Sequence, residues 1–158
     1  EPLTPGECAL AAWQAEVVES GGVGGKMDQY ATAVGGLLFQ EFHPSTRVEA
    51  LPAILGAFVL GDSQTQKDTQ AILAKVKYRV LDIVKAVRAD HPDFSLGTAA
   101  LADADRWLGS RSPGERTLIR ATLRNRDLTR AGYELLRRPG SDAAGFGAPG
   151  FAMLASRE

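Results

Sequence analysis

The run Ser20-Gly21-Gly22-Val23-Gly24-Gly25-Lys26-Met27-Asp28-Gln29-Tyr30 separates two helical patterns, and the rest of the chain is read outward from it. Four glycines in its first seven residues leave the backbone free to reverse and to approach a ligand closely. Upstream, Thr4-Pro5-Gly6-Glu7 has the composition of a helix start. The threonine hydroxyl caps a free amide, proline suits the first turn, and Glu7 closes a capping box. Leu10, Trp13 and Val17 follow at helical spacing and are expected on the inner face. Downstream, a short helix is predicted from Met27 to about residue 34, stopped by Gly35-Gly36. Asp28 falls in its first turn, where the helix dipole favours a carboxylate.

Beyond that second glycine pair, Leu37, Leu38, Phe39 and Phe42 suggest a strand. His43-Pro44-Ser45 reads as a turn, and residues 47–51 alternate like a partner strand. Residues 54–60 form a short apolar run bounded by Gly61-Asp62, expected as a buried strand in a β-rich middle. From Thr65 the period becomes helical, with Leu73, Val76, Val80, Ile83, Val84 and Val87 on one stripe until His91-Pro92. A further helix is predicted over residues 98–108. Ser112-Pro113-Gly114-Glu115 repeats the capping-box start and opens a helix to about residue 137. Its expected inner face is Leu118, Ala121, Leu128, Ala131 and Leu135. The tail, residues 139–158, carries four glycines and two prolines and has no clear period.

Composition bounds the function classes. The chain has 158 residues, 44% of them hydrophobic and 23% charged, a balance that supports a folded core and excludes wholesale disorder. Eighteen basic residues against nineteen acidic ones leave a net charge of −1, so no global field drives binding to nucleic acid or anionic membranes. Cys8 is the single cysteine, which rules out an internal disulfide and a cysteine zinc site and fits a reducing, cytoplasmic setting. The longest apolar stretch, residues 51–60, is broken by Pro52 and Gly56 and is far shorter than the ~20 residues of a spanning helix. The first ten residues hold two glutamates and no basic residue, unlike a secretory leader. The chain opens at Glu1 rather than a methionine, which points to processing or to a piece of something longer.

The glycine run is not a phosphate-binding Walker loop. That spacing demands glycine at position 20 and serine or threonine at 27, where Ser20 and Met27 stand, and a strand rather than a helix should precede it. What survives is a flexible connector whose following helix presents free amides. Asp28, beside it, has the chemistry to orient a hydroxyl and take its proton in a phosphoryl transfer; the alternative is an ordinary first-turn acid that only stabilises the helix. Residues 106–138 contain nine arginines against Glu115, Asp127 and Glu134, a local excess of six positive charges. With only Trp107 and Tyr133 as aromatics there, a solvated basic face, or docking of an anionic ligand or neighbouring domain, fits better than RNA binding. His43 and His91 each stand beside a proline and read as turn residues, and no metal-binding set is evident.

The segment Gly24-Gly25-Lys26-Met27-Asp28-Gln29-Tyr30 resembles the "C-G-I-M-D-Q" signature of galactokinases, within the GHMP small-molecule kinase superfamily. Glu16 in the preceding helix, Gly35-Gly36-Leu37-Leu38 after it, and Val59-Leu60-Gly61-Asp62-Ser63 before the long helix resemble the family's flanks. Arg124-Asn125-Arg126-Asp127 is similar to a helix of galactokinase-like members, so the likeness covers roughly residues 4–138. Lys26 replaces the family's usual apolar residue.

The resemblance implies an α+β fold: residues 1–45 as the end of a GHMP kinase N-terminal domain, and residues 46–158 as part of a ferredoxin-like C-terminal domain. It implies ATP- and Mg2+-dependent phosphorylation of a sugar hydroxyl. Asp28 is then the catalytic carboxylate, Gly24 and Gly25 line the sugar site, and Gln29 and Tyr30 neighbour it. The partner is a small-molecule sugar, with no nucleic acid and no membrane. The family's ATP-phosphate loop, "G-L-S-S-S-A", precedes the helix that residues 4–19 would match and is not in this sequence, so little or no activity is expected of this chain alone. Asp142, Phe146-Gly147 and Met153-Leu154 match either a late glycine-rich motif or an earlier "D-x-x-x-F-G-x-L-M" helix; spacing favours the helix and hence a central fragment. The competing function is a non-catalytic sugar-binding or regulatory module, and a third is a basic helical module for RNA.

Overall fold

Two helices open with the same device. The computed structural model describes residues 1–52, 59–62, 64–65 and 68–138, and in it both predicted capping boxes are formed. Thr4 accepts from the Glu7 amide, and the Glu7 carboxylate takes hydrogen bonds from the Thr4 amide and hydroxyl at 2.8 and 2.7 Å. Ser112 and Glu115 repeat the arrangement at 2.9 and 2.7 Å. These bonds, from the Ser112 hydroxyl first and its amide second, hold the Glu115 carboxyl below the usual glutamate range. A depressed folded-state value means the contribution is fully present at neutral pH and is lost as pH falls through that value. Replacing Glu115 with Gln should therefore flatten the acid limb of stability against pH, read as the thermal midpoint across an acid series. An unchanged limb would remove the cap from the account.

Helix α1 (Pro5–Trp13) runs into a π-helical stretch, Gln14–Glu19. After the glycine connector comes α2 (Met27–Val34), which packs on α1. Ala9 and Tyr30 are the buried residues of this pair, and Tyr30 meets Phe42 with ring centroids 5.6 Å apart. Leu10, expected inside, is 42% exposed: Ala9, one position earlier, takes the inward direction, and one residue rotates a helix by about 100°. Gly35 and Gly36 both have positive φ, +75° and +71°, a conformation that side chains resist, and they turn the chain out of α2.

Strands β1 (Leu38–Glu41) and β2 (Arg47–Ala50) form an antiparallel hairpin in register Leu38 to Ala50 and Glu41 to Arg47. The boundary expected near residue 45 falls in the turn of this hairpin, between two strands that are hydrogen-bonded to each other. The hairpin leans on the last helix through Tyr133. Phe39 stacks on its ring at 4.1 Å, and its hydroxyl donates to Glu49 and accepts from Arg47 at 2.8 Å. Of the strand expected over residues 54–60, residues 54–58 lie outside the described residues, while Val59 and Leu60 are fully exposed and in no strand. Among the described residues the β-rich middle is this one hairpin.

Three further helices stand among the described residues: α3 (Thr69–Asp90), α4 (Ala104–Leu108) and α5 (Pro113–Leu136), with a 3-10 turn at Leu101–Asp103 before α4. The helix expected over residues 98–108 is thus this turn plus α4. Ile83, Val84 and Val87 of α3 pack with Phe94, Ala99, Ala104, Leu108, Ile119 and Leu123 in the core. Only the second half of the α3 stripe is inside; Leu73 and Val76 are exposed. The inner face of α5 is also displaced. Ile119, Leu123, Gly132 and Leu136 are buried, whereas Ala121 and Ala131 are exposed. The fold is α+β, helices with a small two-stranded sheet. Among the described residues no helix is long and apolar enough to cross a membrane. The tail motif at residues 142–154 lies outside the described residues.

Candidate functional site

The glycine connector is pinned at several points although its residues are small. Gly21, at φ +67°, lets the chain leave the π-helical stretch, and the Gly22 amide donates to the Val17 carbonyl at 2.7 Å. A methyl group on Gly24 would lie 3.3 Å from a Val17 side-chain carbon, so glycine there permits close packing. At Gly25 the space is open. Lys77 of α3 donates to the Val23 carbonyl at 3.1 Å, and Lys26 lies over the Trp13 ring at 4.6 Å. Lys26, the departure from the galactokinase-like pattern, thus covers an aromatic face.

The three residues that follow Met27 point in different directions. The Gln29 amide donates to Glu16 at 2.7 Å and ties α2 to the π-helical stretch, while Tyr30 is buried against Phe42. Asp28 is exposed and has no hydrogen bond or ion pair among the described residues. Its carboxylate is therefore free to accept from a ligand, at the positive end of α2. Two further groups lack partners here. The second oxygen-bearing end of Gln29, Oε1, and the indole Nε1 of Trp13 are buried and unpaired, one an acceptor and one a donor. Buried polar atoms without partners are uncommon, and here one is an acceptor and the other a donor. The structure thus joins Glu16 to Gln29 and leaves Asp28 outward. The resemblance named Glu16 in the helix upstream but gave no sign that Lys26 covers the Trp13 indole.

A separate cavity of about 560 Å³ opens between β1, α3, residues 95–97 and α5. None of Gly24, Gly25, Asp28, Gln29 and Tyr30 lines it. Its walls carry Phe39, Phe42, Leu81, Val84 and Leu96, with Gln40, Glu41, His43, Arg88, Arg126 and Arg130 as the larger polar groups. Arginines build one wall by gathering loop carbonyls. Arg88 donates to Phe94 O at 2.9 Å, Arg126 to Leu96 O and Ala99 O at 2.6 and 2.8 Å, and Arg130 to Gly97 O at 3.0 Å. Arg111, near the start of α5, does the same for Ala86 O and also pairs with Asp90. Arg126 and Arg130 of the basic segment read from sequence are therefore engaged in holding the α3–α4 connection. Its excess charge was legible; its placement on a cavity was not.

Among the described residues no three or more His, Cys, Asp or Glu gather as a metal would require. In comparisons with known proteins, no family model, curated protein or solved structure matches the chain.

Proposed function

We propose that this chain carries the acceptor side of a galactokinase-like sugar kinase of the GHMP superfamily, in which Asp28 orients a sugar hydroxyl and accepts its proton. The observation that carries the reading is the unpaired Asp28 carboxylate in the first turn of α2, directly after a glycine connector and beside neighbours that are tied down. An acid kept only to stabilise the helix would have the same position. Gln29 Oε1, one residue on, and Trp13 Nε1, on the ring that Lys26 covers, are further unpaired polar atoms of the two helices that flank the glycine connector. In this role Asp28 holds the acceptor oxygen toward its electrophile and removes the proton as the new bond forms, so the side chain's contribution is positioning and base catalysis. Gly24 and Gly25 would allow the ligand near the backbone. The domain reading, residues 1–45 and 46–158 as parts of the two GHMP kinase domains, belongs to this proposal.

A non-catalytic sugar-binding module is the second reading, favoured by the absence of the five nominated residues from the cavity walls. One experiment separates them. The protein as its gene encodes it is screened for ATP-dependent phosphorylation of hexoses, pentoses and heptose phosphates, with binding of each followed by calorimetry. Turnover of a sugar supports the kinase. Sugar binding without turnover transfers the assignment to the binding module, and neither binding nor turnover overturns both.

A further inference from the structure

The cavity between the hairpin and the arginines of α3 and α5 has no part in the proposed sugar chemistry, yet it is shaped and charged for a ligand. We propose that it is a second site, binding a small organic anion whose apolar body rests on the aromatic wall and whose carboxylate or phosphate meets Arg88 and Arg130. Its volume, about 560 Å³, falls within the roughly 300–1,000 Å³ of small-molecule sites. Phe39 and Phe42 from β1 and its turn supply an apolar surface that stays partly open to solvent.

Charge selects the ligand class. Arg88 and Arg130 each donate to one loop carbonyl, and neither has an ion pair among the described residues. Each guanidinium carries five N–H donors, so one carbonyl leaves most of them available. Planar guanidinium groups favour carboxylate and phosphate oxygens, and such charge-assisted bonds are the strong ones. Arg126 differs because Asp127 already pairs with it at 2.6 Å, so it supports the wall rather than reading the ligand. Gln40 lines the same cavity, and its Oε1 is buried without a partner. Glu41 of β1 also lines the space and disfavours an anion beside it, so the anionic group is assigned to the arginines of α3 and α5.

The test uses benzoate and phenyl phosphate as probes and benzyl alcohol as the uncharged control, titrated into the isotope-labelled 158-residue chain. Both anions should give saturable amide shifts at residues 39–43 and 95–97, with benzyl alcohol weaker by roughly tenfold or more. The better of the two anions identifies the headgroup. Arg130→Gln should weaken that anion by roughly tenfold. Thr129→Glu, an exposed wall position that adds a like charge without removing a loop contact, should weaken it as well. Arg106→Gln, which lies off the cavity, should leave it unchanged. Equal binding of the alcohol, shifts elsewhere, or indifference to both wall variants would overturn the site. Because no residue of the Gly24 to Tyr30 segment takes part, either outcome is independent of the kinase screen.

Discussion

Asp28→Asn should cut sugar phosphorylation by the natural gene product by about 10² to 10⁴ in kcat, the usual contribution of a positioned general base. The substitution is nearly isosteric, and the carboxylate it replaces is exposed and unpaired among the described residues, so the fold loses only the first-turn charge, about 0.3–1 kcal/mol. Thermal unfolding should shift only slightly, and nucleotide affinity should change little because the altered group faces the acceptor. That combination separates Asp28 from its neighbour Gln29. Gln29→Ala would break the 2.7 Å bond to Glu16 and loosen the attachment of α2, lowering stability together with activity. Steady-state kinetics and a melting curve on both variants read the distinction. Turnover unchanged in Asp28→Asn would assign the residue to the helix dipole alone.

What was legible in the sequence was what is local. Thr4 with Glu7 and Ser112 with Glu115 satisfy each other across three residues, so the two capping boxes need no knowledge of the tertiary fold. The limits of α2 follow from Gly25 before it and two positive-φ glycines after it, and the hairpin follows from a turn between two short alternating runs. The helix direction that faces inward is another matter. It depends on what packs opposite, and a helix rich in small and apolar residues offers more than one plausible stripe. In α3 a continuous stripe was visible, yet only its second half packs on the core, Ile83, Val84 and Val87 buried there and Val80 partly so.

The same division runs through the functional surfaces. The Asp28 segment is contiguous and was found from one run of residues. The cavity joins residues 39–43, 81–88, 95–97 and 122–130, four stretches that nothing in the sequence marks as neighbours. Its arginines were visible as a charge excess, but their pairing with the Phe94, Leu96, Gly97 and Ala99 carbonyls requires the fold. A basic helix counted by formal charge overstates the free positive field. Arg126 is the clearest case: half-buried, bonded to two carbonyls and to Asp127, it acts as a clamp. Trp13 was visible only as one of three apolar residues at helical spacing; that Lys26 covers its ring depends on the reversal at Gly21.

Leu123→Ala should destabilise the protein by about 2–5 kcal/mol, the range for emptying a fully buried leucine site. Leu123 is 0% exposed and stands in the core with Ile119, Leu108 and Val87, all equally buried, so the wall around the deleted atoms has little room to collapse. At roughly 2–4 °C per kcal/mol for a chain of this size, the melting temperature should fall by an easily measured amount. The paired control is Ala121→Ser. Sequence periodicity put Ala121 on the inner face of α5, and a buried serine there would leave a hydroxyl to be satisfied. The fold turns Ala121 outward, so its replacement should stay within about 0.5 kcal/mol. The two substitutions sit two positions apart, about 200° around the helix, and test which side of α5 meets the core. Equal effects, or a larger loss at Ala121, would mean that α5 is rotated back to the face its sequence first suggested, and the arginine wall of the cavity would turn with it.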